Sequence, residues 1–181
     1  MTWTPTPVRD EEAFAAIKSG IDALPPGVKM LLNSGEQSSF DVPGRLLDSC
    51  TGTPAEFYGN GLTTANLELL ARFFEKHPGY ADRTFLSVKG GSVPGVLIPD
   101  GSRQNLRRSV DASIKALRGT KRIDLFQQGR LDPKYSIEQQ AGFLNEMVKE
   151  GKFDHIGLSV VGAETIRRAH KVRSFSANPS I

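Results

Sequence analysis

Short apolar runs alternate with amphipathic segments along most of this chain, and that alternation limits the fold more than any other feature. The runs are Val28–Leu32, Thr84–Lys89 (TFLSVK), Ile123–Gln128 (IDLFQQ) and His155–Val161 (HIGLSVV). Each is brief and bounded by turn residues, so each reads as a buried strand. Between them, apolar residues recur every three to four positions, the helical period. Phe14, Ile17, Ile21 and Leu24 mark the first helix, opened by Asp10-Glu11-Glu12 and stopped by Pro25-Pro26-Gly27. Asp10 is its expected N-cap, with acids in the first turn suiting the macrodipole. Leu67, Leu70, Phe73 and Phe74 mark a second, beginning at Thr63 or Thr64 and closed by Pro78-Gly79. Ser102 starts a third, with Leu106, Val110, Ile114 and Leu117 on one face and Gly119 past its end. Ser136 and Gln139 have capping-box spacing at the start of a fourth, which ends at Gly151. Residues Ala163 to Val172 form a fifth.

Repeated strand–helix units imply a parallel sheet with helices outside it. Two architectures meet that description. An open doubly wound sheet suits a chain of 181 residues. A (β/α)8 barrel needs about 250 residues and eight strands, of which only the runs above are legible. The strand starts near 28, 84, 123 and 154 are unevenly spaced, and the first interval is far the longest. The excess lies in QSSFDVPGRLLDSCTGTPA, which has neither helical nor strand periodicity. With residues 36–55 set aside, the first interval matches its neighbours.

Composition excludes several function classes. Lys and Arg number 23 against 20 Asp and Glu, a net charge of +3. That charge is dispersed, without the dense basic run of a nucleic-acid binder. No stretch approaches the roughly 18 apolar residues of a membrane span. The first twenty or so positions lack the apolar core of a secretory signal. The single cysteine, Cys50, cannot form an intramolecular disulfide. The expectation is a cytoplasmic protein with no nucleic-acid or membrane partner. His77, His155 and His170 have no metal-ligand spacing, so no metal is expected.

Three stretches carry a family resemblance. They are EFYGNGLTTANLELLARFFEKHPGYADRTFLSVKGG, SRQNLRRSVDASIKALRGTKRIDLFQQGRLD and GLSVVGAETIRRA, in that order. Together the sequence resembles the aldo-keto reductases, and in particular their fungal pyridoxal reductase branch, over most of residues 1–35 and 56–172. The resemblance implies an α/β fold: a partial (β/α)8 TIM barrel with about four strands and five helices. It implies a domain at 1–172, interrupted by an irregular insertion at 37–55, and a non-matching tail at 173–181. It further implies a late start and a missing second half, as in an imperfect gene model or a splice variant. Such a half-barrel is expected to self-associate through its open edges.

The same resemblance implies NADP(H) as cofactor and a small aldehyde as substrate, with pyridoxal reduced to pyridoxine in vitamin B6 metabolism. Family catalytic residues stand at the C-terminal ends of barrel strands, where they converge. Tyr58 matches the proton-donating Tyr, and Lys89 the Lys beside it. Asn33 stands where an acid is usual, and setting 36–55 aside restores the family's spacing between that position and Tyr58. Gly129 replaces the usual His, and Arg130 after it is assigned to substrate binding. Ser159 matches the residue that holds the nicotinamide carboxamide, Val160 replaces the Asn that usually follows, and Gln127 is a further cofactor-side candidate. A free Tyr with a pKa of about 10 is a reluctant acid, and an adjacent ammonium lowers that pKa. Asn33 can hydrogen-bond Lys89 but cannot form an ion pair. These departures support a second expectation, a catalytically inactive remnant or half-barrel interaction module. A third, a flavodoxin-like nucleotide-binding domain, fits the length but explains none of the motif order.

Overall fold

In the computed structural model, residues 8–35, 64–93 and 98–174 are described. Tyr58, Cys50, the 37–55 insertion and positions 175–181 of the tail lie outside the described residues. Among the described residues, five α-helices accompany a four-stranded sheet. The order is α1 (Asp10–Asp22), β1 (Met30–Gly35), α2 (Ala65–Lys76), β2 (Thr84–Gly90), α3 (Arg103–Leu117), β3 (Leu125–Gln128), α4 (Ile137–Lys149), β4 (His155–Leu158) and α5 (Ala163–Ser174). The strands lie side by side in chain order, and every pairing is parallel. That is the arrangement of successive strands in a barrel, not the reversed strand order of a doubly wound sheet.

Local chemistry accounts for most element boundaries. The Ser102 hydroxyl accepts from the Asn105 N–H and starts α3. Ser136 and Gln139 form a reciprocal capping box at α4. Arg118 and Gly119 end α3 with positive φ, so the left-handed stop begins one residue before the expected glycine. Asp10 differs more sharply from expectation. Arg9 is the N-cap of α1, with no side-chain capping bond. The Asp10 carboxylate instead accepts two bonds from the Arg72 guanidinium on α2, at 2.5 and 2.8 Å. A bidentate guanidinium offers two charge-assisted bonds where the cap offers one or two neutral amides.

The core lies between the helices and one face of the sheet. Phe14, Phe73, Phe74, Leu86, Val88, Leu106, Val110, Phe126, Leu144 and Phe153 are buried there. Phe73 packs edge-on to Phe14 and Phe74, with ring centroids 5.6 and 5.3 Å apart. Each fully buried side chain of this size contributes roughly 1.5–3 kcal/mol. Strand alternation sends Leu86 and Val88 into this core and Phe85, Ser87 and Lys89 to the opposite face. On β1 the even residues Met30 and Leu32 pack on the core, whereas Leu31 is 61% exposed. The sheet therefore has a helix-covered face and an inner face that carries polar side chains.

β2 runs close against its neighbours at its C-terminal end. A Cβ on Gly90 would sit 2.3 Å from the Ser109 hydroxyl and 2.9 Å from the Phe126 ring. Only glycine fits between α3 and β3 at that point. The Gly91 N–H then donates to the same Ser109 hydroxyl at 3.0 Å. β2 ends at Gly90, one residue after Lys89, which places that lysine at the strand mouth.

Candidate active site at the strand ends

β1, β2 and β3 each deliver one candidate side chain to the inner face near the C-terminal end, and Ser159 follows β4. Asn33 pairs in register with Ser87, and Lys89 with Gln127. Gln127 in turn pairs with Gly157, two residues before Ser159. Asn33, Lys89 and Gln127 thus share one face of three adjacent strands, and Ser159 directly follows the end of the fourth. A one-residue slip of any of these strands would turn its side chains to the other face.

Gln127 is the bridge. Its amide nitrogen donates to Asn33 Oδ1 at 3.0 Å and to Ser87 Oγ at 2.9 Å. Both amide protons are used, so β1, β2 and β3 are tied by one group. The expected Asn33–Lys89 hydrogen bond is not formed. Asn33 Oδ1 is engaged with Gln127, and Lys89 has no hydrogen-bond or ionic partner among the described residues.

Lys89 is half-buried. Burial first, and then the nearby Arg130 guanidinium, hold its pKa below the ordinary lysine value. Desolvation and a like charge both disfavour the ammonium. Among the described residues no acid stands beside Lys89, and burial and Arg130 both oppose its charge. Arg130 donates to the Gly129 carbonyl at 2.8 Å. The Gly129 N–H donates to the Gly90 carbonyl at 2.9 Å, which extends β3 past its last paired residue. A Cβ on Gly129 would lie 3.4 Å from Lys89 Cγ. Glycine there leaves the flank of the lysine stem uncovered.

Behind the inner face lies a polar network that sequence reasoning missed. Gln128 is fully buried on the helix side and donates to Gln140 Oε1 at 2.6 Å. The same oxygen accepts from the Asp132 N–H at 3.1 Å, while Gln140 Nε2 donates to the Asp132 and Tyr135 carbonyls at 3.0 and 2.8 Å. Asp132 is 3% exposed, and its carboxylate accepts from Gly101 N at 3.0 Å and Lys134 N at 2.9 Å. The network locks the turn carrying Gly129 and Arg130 to the start of α4 and to the segment before α3. Its only sequence signal is a pair of glutamines at positions where the strand and helix patterns want apolar residues.

After β4, Ser159 is half-buried and Val160 has φ +55°. A β-branched residue strongly resists that left-handed conformation. A cleft of about 210 Å³ lies between α4, β4 and α5, lined by Ala141, Ile156, Leu158, Ile166, Ala169 and His170. Ile156 and Leu158 point to the helix side, so this cleft is separate from the inner-face residues. Among the described residues there is no group of three or more His, Cys, Asp or Glu placed to hold a metal. No described helix is long and apolar enough to cross a membrane.

Parallel strands in sequential order, with helices on one face, fit a partial (β/α)8 barrel. The chain belongs to the aldo/keto reductase family, whose model matches residues 44–179. It is 46% identical over 114 residues to the probable pyridoxal reductase 2 of Schizosaccharomyces pombe, covering 63% of this chain and 34% of that protein. It is 36% identical to an uncharacterized oxidoreductase of the same yeast, covering 98% of this chain and 46% of the relative. The putative pyridoxal reductase of Saccharomyces cerevisiae is 30% identical, with 94% and 45% covered. The chain therefore spans less than half the length of these relatives. In fold it is similar to the glycerol dehydrogenase of Gluconobacter oxydans, with a TM-score of 0.63 over 92% of this chain and 44% of that one, at 20% identity.

Proposed function

We propose that this chain carries the strand-end chemistry of an NADP(H)-dependent reductase of small aldehydes, with pyridoxal, giving pyridoxine, as the substrate. The observation that carries the reading is the gathering of Asn33, Lys89 and Gln127 on one face of three adjacent parallel strands, with Ser159 just past the end of the fourth. The pyridoxal reductases among its relatives support the choice of substrate. We place the reaction in the cytoplasm.

The residues present fit a nicotinamide carboxamide. Among the described residues, Gln127 Oε1 accepts no hydrogen bond and the Ser159 hydroxyl makes none, leaving an acceptor for an amide N–H and a donor for its oxygen. A bound nicotinamide supplies the hydride. Tyr58 donates the proton to the carbonyl oxygen as it becomes an alkoxide. The Lys89 ammonium, in whatever fraction is protonated, favours the resulting phenolate. Arg130 holds an anionic or polar substituent of the substrate. With Asn33 in place of an acid and Gly129 in place of a second polarising group, turnover is slow.

Titrating NADPH into the full chain tests this. Saturable fluorescence quenching with a rise in melting temperature supports the reading. Absence of both favours the second reading, a non-catalytic half-barrel interaction module. The observation behind that alternative is Lys89 itself, whose surroundings disfavour the charge the chemistry uses. Its partner would be a second copy, recruited through the outer edges of β1 and β4. Gel filtration of the full chain as a stable monomer would argue against it.

A further inference from the structure

We infer that Lys89 is a nucleophilic amine that captures small aldehydes as a reversible Schiff base. This step needs neither a nicotinamide nor Tyr58, so it stands apart from the reductase reading.

The geometry meets the requirements of an imine-forming lysine. Lys89 is half-buried at a strand mouth, on a scaffold of regular sheet. Among the described residues no carboxylate, hydroxyl or carbonyl holds its nitrogen. Its described side-chain neighbours on the sheet are neutral: Asn33 on β1, Ser87 on its own strand and Gln127 on β3. Among the described residues, the charged group acting on it is Arg130, in the turn after β3. Gly129 leaves room along the stem, since even a Cβ there would only reach 3.4 Å from Lys89 Cγ. Desolvation together with an adjacent cation is a known way to activate a lysine toward carbonyl compounds. Burial and Arg130 both act in that direction here.

The step balances without an oxidant or reductant. The neutral amine attacks the aldehyde carbon, a C–N bond forms, and the carbonyl π pair moves to oxygen. A proton passes from nitrogen to that oxygen to give the carbinolamine. The C–O bond then breaks, water leaves with a second proton from nitrogen, and the C=N bond closes. Hydrolysis returns both partners unchanged. A lowered pKa raises the free-amine fraction at pH values below it.

The test is reductive trapping on the full chain with pyridoxal as the probe. Limiting pyridoxal and borohydride are added near pH 7.5, and the label at each lysine is read by peptide mass spectrometry. Lys89 is expected to carry more label than exposed Lys115 or Lys149. Arg130→Gln, checked for retained circular dichroism, is expected to cut labelling of Lys89 several-fold while leaving Lys115 unchanged. Label spread evenly over Lys89, Lys115 and Lys149 in the unaltered chain overturns the inference. So does an Arg130→Gln chain that folds and labels Lys89 as before. NADPH binding, measured separately, reports on the reductase reading alone.

Discussion

Gln127 donates its amide to Asn33 at 3.0 Å, across the strand that carries Lys89. Two residues far apart in sequence are thereby joined over the position where the family chemistry is centred. Asn33 is consequently a partner of the sheet's cross-brace rather than of the lysine. The neighbouring cation is left to burial and to Arg130.

Restoring an acid at this position should reverse the bias on Lys89. In Asn33→Asp the carboxylate can still accept from Gln127, so the brace survives. The introduced negative charge would lie on the same face, one pleat from Lys89. The Lys89 pKa should rise, because a nearby negative charge favours the ammonium. Carbon-13 NMR of reductively methylated protein would follow it, and an unchanged titration would refute the effect. If the reductase reading holds, NADPH-dependent pyridoxal reduction rises in the same variant.

Removing the uncompensated charge should stabilise the fold. Lys89→Met keeps the stem and deletes the ammonium. Because the folded-state pKa lies below the ordinary value of 10.5, the unfolded chain binds the proton more tightly. The wild-type penalty is therefore fully present below the folded pKa and fades as pH rises to 10.5. Urea midpoints should be higher for the variant at pH 7 and should converge with wild type near the upper end.

The Gln140 network should be a major contributor to the site's rigidity. Gln140→Ala leaves the Gln128 amide and the Asp132 N–H without their acceptor. It also strands two carbonyls. Buried groups left unpaired cost about 1–3 kcal/mol each before any relaxation or water entry. A loss of about 2–4 kcal/mol is expected, with faster hydrogen exchange at Gly101 and Asp132. A loss below about 0.5 kcal/mol would place the network outside the fold's essential contacts.

Replacing Val160 should raise stability. At φ +55° and 69% exposed, it has backbone strain and little packing to lose. Asparagine tolerates the left-handed region. Val160→Asn is expected to stabilise the fold by about 1 kcal/mol, read as a higher melting temperature.

The attachment of α5 should weaken in acid. Glu138 on α4 accepts from the Arg168 guanidinium on α5 at 2.6 and 2.7 Å. That pairing holds the carboxyl pKa down to about 2 from 4.5. A depressed carboxylate contributes above its unfolded value, and the contribution is lost as pH falls from 4.5 through about 2. Hydrogen exchange in α5 should accelerate over that window, and Glu138→Gln should abolish the pH dependence.

Much of this architecture was legible in the sequence because its determinants are local. The helical periods around Phe14, Phe73, Leu106 and Leu144, and the caps at Ser102 and Ser136, act within a few residues of chain. Asp10 shows where that reasoning ends. Its local role as a cap lost to Arg72, brought from the next helix by packing of α1 on α2. Gln128 and Gln140 look like interruptions in apolar patterns until the fold closes them on Asp132.

The strand–helix order and the family could be read from the linear chain. They follow from periodicity and motif, which are properties of neighbouring residues. Packing settled which side chains meet, and with what electrostatic result. Parallel register joined Asn33 to Gln127, and the turn after β3 brought Arg130 near Lys89. The state of that lysine depends on how much water and which charges surround it, quantities that exist only once strands distant in sequence lie side by side.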